Sequence, residues 1–202
     1  MAHDTVAIGE RLFDLSALLG AGDVVGLGRR LDELDAAARL RFVLGLGARA
    51  QGQLYESAKG ARKLRLEALV PPGLPSLTEV VHDGKNSLPV FSRFAKVMCR
   101  PKDDARELWG YNRTGKLIQR SVGPGYFVAY EGPGDEVLID YTRLPDLKPD
   151  HWPEIASNKA RLSRFVYAGM IDALRSVSEH VTVGRAIRDG KVQDNWFVLC
   201  RT

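Results

Sequence analysis

Cysteine is nearly absent: Cys99 and Cys200 are the only two in 202 residues. Two thiols make no disulfide framework, and neither has the close Cys or His partners that zinc spacing requires. Each falls near the end of an expected strand, where a free thiol serves as a small apolar residue. Histidine is scarce too. His3, His82, His151 and His180 sit in no recognised metal pattern, so no metal site is expected from local spacing.

Long hydrophobic runs are missing as well. None approaches the roughly 20 residues of a spanning helix, so no membrane segment is expected. Met1-Ala2-His3-Asp4 leads into no basic-then-apolar stretch, which argues against a secretory signal and for a cytoplasmic location. Glycine-rich turns at Gly123-Pro124-Gly125 and Gly132-Pro133-Gly134 lack the Gly-Lys-Ser/Thr of a phosphate loop, and Gly84-Lys85-Asn86-Ser87 falls equally short. No serine occupies a Gly-x-Ser-x-Gly elbow, and no repeat is visible. These absences leave any cofactor unknown and fix no reaction.

What is present is an ordinary globular composition, 45% apolar and 27% charged, with a net charge of +4. The charge is spread. Residues 1–70 carry ten Lys/Arg against nine Asp/Glu, and the remainder nineteen against sixteen. No basic arm stands out, which disfavours nucleic acid as a partner. Arginine outnumbers lysine about two to one, which a GC-rich, bacterial-like coding bias and a binding role explain equally well.

The chain divides at a joint over residues 59–76, where basic Lys59, Arg62, Lys63 and Arg65 precede Val70-Pro71-Pro72-Gly73-Leu74-Pro75. Residues 1–70 form the helical N-terminal subdomain. Asp4 caps a first helix, ended by Gly20-Ala21-Gly22. Asp23 caps a second, with Val24, Leu27, Leu31 and Leu34 inward, and Asp35 caps a longer third through Leu40, Val43, Leu44 and Leu54 to about Ala58.

Residues 77–202 form a β-rich α+β domain. Strands are expected at 77–82, 90–100, 108–112, 117–122, 126–130, 137–142, 180–188 and 191–201. A long helix over 158–178, with Leu162, Phe165, Val166, Met170, Ala173, Leu174 and Val177 on one stripe, covers them; Lys159, Arg161, Arg164, Asp172 and Arg175 make its polar face. The fold class is α+β: N-terminal helices, then a mostly antiparallel curved sheet or partial barrel packed on one long helix.

Two hairpins can be read residue by residue. Asp189-Gly190 favours a two-residue type I′ turn, pairing Arg188 with Lys191 and onward to Val181 with Val198. Alternation puts Val181, Val183, Ile187, Val192, Trp196 and Val198 on one face, expected to be the core, with an Arg185–Asp194 pair among them. The second hairpin, with a four-residue loop over 132–135, pairs Tyr126 with Tyr141, Val128 with Ile139 and Phe127 with Asp140. Asp140 then lies among Phe127, Ala129 and Leu138, where a carboxylate needs a partner. In Phe91-x-Arg93-Phe94-x-Lys96, Phe94 and Lys96 share one face and Phe91 and Arg93 the other; that is ordinary sheet packing rather than a stacking platform.

Tyrosines on strands and charges on apolar faces favour a binding module for a small or amphipathic molecule. Its candidate ligand-binding residues are Tyr126, Tyr130, Asp140, Tyr141, Arg185 and Asp194. A protein partner or homo-oligomer served by the N-terminal helices is the second reading. An enzyme with an acid–base site around Asp140, His180 or His82 is the third.

Overall fold

The computed structural model describes residues 14–89, 92–102, 106–158 and 162–202. Asp4, Val6, Leu12 and Phe13 of the expected first helix lie outside these; residues 14–21 are helical. Helix α1 (Val24–Asp32) starts at Asp23, whose carboxylate accepts from the Gly26 amide at 2.8 Å. Helix α2 (Ala36–Gly45) starts at Asp35, which accepts from Ala38 at 2.8 Å. Both caps satisfy amides that a helix start leaves unpaired. The long third helix is instead two. Leu46 turns extended and buried between two glycines, and α3 (Ala48–Ser57) begins afresh after Gly47.

The remainder is a closed barrel of eight antiparallel strands: β1 (Val80–Asn86), β2 (Arg93–Cys99), β3 (Glu107–Arg113), β4 (Tyr126–Glu131), β5 (Val137–Asp140), β6 (Met170–Ser176), β7 (Val181–Arg188) and β8 (Lys191–Arg201). Each strand pairs with the next, and β8 closes on β1, so no edge is left open. The expected curved sheet is therefore a full closure.

Two expected elements change type. The 117–122 strand is a helix, α5 (Lys116–Val122), between Gly115 and Gly123, with Val122 buried and Leu117 exposed. The long 158–178 helix does not form. A single turn, α6 (Ser163–Val166), ends before Gly169 at φ +68°, and Met170–Ser176 runs on as strand β6. Positions 170, 174 and 177 satisfy helical spacing, but a strand buried on both faces tolerates the same apolar run.

The 189–190 turn is as expected: Asp189 and Gly190 both have positive φ, and Arg188 faces Lys191. A bulge between Arg185 and Ile187 then shifts the register by two, so Val181 meets Cys200. A two-residue shift preserves the faces, and both are buried over 181–184 and 197–200. Val192 of the expected core face is exposed, and Ile187 and Trp196 are half-buried, because the turn end of the hairpin is left uncovered. Val181, Val183 and Val198 pack beneath Leu27, Leu31 and Leu54 of the helices, while Ala186, Phe197 and Leu199 fill the barrel. In the second hairpin Glu131 pairs with Val137, which leaves a five-residue connection and moves Asp140 opposite Val128. That one-residue slip turns Asp140 to the outer face.

The inward positions follow from the pairing. His82, Lys96 and Asn112 lie side by side across β1, β2 and β3, as do Gly84 and Phe94, and Gly110 and Phe127. Two glycines admit the rings that cross the barrel: a Cβ on Gly110 would come within 2.5 Å of Phe127, and one on Gly184 within 2.2 Å of Phe197. One end is plugged by residues 64–70, which include the short helix α4 (Leu66–Leu69). Leu66 and Leu69 pack on Met98, Leu108 and Leu174; His82 Nε2 donates to the Leu69 carbonyl at 2.9 Å, and Arg100 donates to the Val70 carbonyl at 2.6 Å. The opposite end keeps the space in which a site is found.

Candidate functional site

The open end holds a cavity of about 240 Å³. Its wall is largely apolar: Phe94, Ile118, Val122, Val166, Met170 and Phe197 border it, and its floor is polar. Helices α5 and α6 roof it, joined where Ser163 Oγ donates to the Val122 carbonyl.

Three strands and the residue that follows a fourth supply the floor. Lys96 (β2) and Asn112 (β3) are direct cross-strand partners, Tyr141 follows β5, and Asp172 lies on β6. The Lys96 ammonium donates to Asp172 Oδ2 at 3.1 Å, to Asn112 Oδ1 at 3.2 Å and to the Tyr141 hydroxyl. Asn112 Nδ2 donates to the same hydroxyl at 2.9 Å, and that hydroxyl lies 3.3 Å from Asp172 Oδ2, to which it donates. All four residues are buried. Around the ammonium stand Phe94, Phe127, Tyr141 and Phe197, with centroids 4.9–5.6 Å away, an arrangement that holds a cation by ring electrostatics.

Burial sets the protonation of this floor. It lowers the Lys96 ammonium below its ordinary range, opposed by the attraction of Asp172. It also pushes Tyr141 well above an ordinary phenol, with Asp172 adding to the rise, so Tyr141 is a neutral donor at pH 7. Tyr167 stacks on Tyr141 at 5.2 Å and is raised to about 12, mainly by burial. A buried ion pair is expensive to assemble and weak as a source of stability. Its place against a cavity makes this the candidate site.

Of the six residues singled out from sequence, Tyr141 alone borders the cavity. Tyr126 is on the outer wall, beneath Trp152 and beside Tyr111, with its hydroxyl donating to the Pro153 carbonyl. Tyr130 is half-buried on the outside, near Arg143. Asp140 accepts from the amide and hydroxyl of Thr142 at 2.8 and 2.6 Å, a local turn that satisfies it. Arg185 does pair with Asp194, at 2.9 Å, on an outer rim where it also reaches Glu56 and lies over Trp196. Of the acid–base candidates, His82 serves the plug and His180 lies by Glu179 and Arg201.

Lys96, Asn112, Asp172, Tyr167 and Arg188 line the cavity, and none of them is among the candidates read from the sequence. Phe94-Ala95-Lys96-Val97-Met98 held a signal for one of them, a lysine alternating with large apolar residues that share its face. Asp172 was hidden by its assignment to the polar side of a helix. Among the described residues no group of three or more His, Cys, Asp or Glu is arranged to hold a metal ion, and no helix is long and apolar enough to cross a membrane. The chain matches no family model, no curated protein and no solved structure.

Proposed function

We propose that the barrel is a binding module for one small, mostly apolar molecule with a polar end. The observation that carries this reading is the pairing of an apolar cavity with the Lys96–Asn112–Tyr141–Asp172 floor. Closed eight-stranded barrels have interiors of the size that side chains fill or one small ligand occupies. Here one end is filled and the other is not. The apolar wall supplies affinity, and a few fixed polar groups supply orientation. The floor is already internally bonded, so it is preorganised, and a guest engages it without ordering cost in the protein.

Native mass spectrometry of freshly purified protein tests this directly. A non-covalent mass excess, lost on denaturation and absent from an Ile118→Trp variant whose added ring fills the cavity, supports the module. An excess that survives the substitution places the guest elsewhere.

A second reading rests on the same floor. Lys96, Tyr141 and Asp172 are joined by hydrogen bonds along which a proton can pass, an arrangement suited to acid–base chemistry on a guest. Turnover of a captured guest, lost in Tyr141→Phe with binding retained, would favour the enzyme.

A further inference from the structure

We propose that the guest is a small apolar monoanion, of the carboxylate class, whose charged end is held by Arg188 in the cavity wall. This rests on the binding-module reading and names its ligand class.

The charges of the lining do not balance. It holds two cations, Lys96 and Arg188, and one anion, Asp172. Asp172 is committed to Lys96 at 3.1 Å, and Lys96 spends its other bonds on Asn112 and Tyr141. Arg188 forms no ion pair with any carboxylate among the described residues. Its Nη2 donates to the carbonyls of Phe165 and Val166 at 3.0 and 2.9 Å, and its Nε lies 3.1 Å from the sulfur of Met170. Those neutral acceptors aim the guanidinium without neutralising it. A half-buried cation beside an apolar space is suited to receive an anion, and a planar carboxylate fits the guanidinium fork.

A second open group borders the same cavity. The Thr114 hydroxyl oxygen is buried and has no hydrogen-bond partner among the described residues. A hydroxyl so placed has capacity to donate to a guest oxygen. Arg188 also holds α6 by its last two carbonyls, so an anion bound there sits against the roof of the cavity.

The test is calorimetric titration of the full chain with hexanoate and, separately, with 1-hexanol. The two share a chain and differ in charge. Wild type is expected to prefer hexanoate by about tenfold or more, the scale of a hydrogen bond to a charged group. Arg188→Met is expected to lose that preference, the ratio of the two affinities falling to about one, and a cooperative thermal transition shows that the variant has folded. Equal wild-type affinities, or a preference that survives Arg188→Met, overturn the anion assignment and leave the cavity reading standing. Binding of neither compound overturns both.

Discussion

Lys96 Nζ lies 3.1 Å from Asp172 Oδ2 inside the barrel, although the strands that carry them, β2 and β6, are not neighbours. The contact spans the lumen, so each charge depends on the other for compensation. Lys96→Met alone leaves a buried carboxylate and should cost about 3–5 kcal/mol. Lys96→Met with Asp172→Leu should recover much of that loss. Urea unfolding of the two single variants and the double variant measures the coupling. Additive costs would show that the pair is not coupled.

Gly184 stands opposite Phe197, whose ring occupies the place of a side chain at 184. Gly184→Ala should force the ring aside and cost about 1–3 kcal/mol. Phe197→Leu in the Gly184→Ala background should return part of it, read from the shift in thermal midpoint. A neutral Gly184→Ala would mean that the ring has room to move.

His82 is fully buried, and desolvation lowers it from 6.5 to about 4. A folded-state pKa below the unfolded one means that the unfolded chain binds the proton more readily between these values. Stability from neutral His82 is thus complete above about pH 6.5 and lost as pH falls towards 4, by on the order of 3 kcal/mol. Unfolding free energies at pH 7 and pH 4.5 should show the fall, and His82→Gln, whose amide can still donate to Leu69, should flatten it. An unchanged slope in that variant would assign the acid sensitivity to other groups.

Cys99 and Cys200 are both buried, and burial pushes their thiols up to about 12 and about 11. Neither should react appreciably with an aromatic disulfide reagent at pH 8 until the protein unfolds, because the thiolate is the reactive form. A fast equivalent in native protein would contradict their place in the wall.

Much of the frame was legible in the sequence. Asp23 and Asp35 are caps because short carboxylates stand just before apolar periodicity, and Asp189-Gly190 is a turn because both positions require positive φ. Legibility failed where two periods fit one run. Met170, Leu174 and Val177 suit a helix face as well as a strand that is buried on both sides. The Tyr126–Tyr141 register failed by a single loop residue, enough to exchange the faces of Asp140 and its partners. The floor could not be read as a unit, because Asn112, Tyr141 and Asp172 stand 16, 45 and 76 positions from Lys96 and meet only when the barrel closes.

The central claim, that the open end of the barrel receives a small molecule, is tested most directly by methyl-labelled NMR during a titration with 1-hexanol. Ile118, Val122, Val166 and Met170 line the cavity, whereas Val25 and Leu147 are exposed elsewhere on the surface. Saturable shifts concentrated on the first group are the predicted result. Shifts on Val25 or Leu147 alone, or none at any concentration that leaves the fold intact, would contradict it.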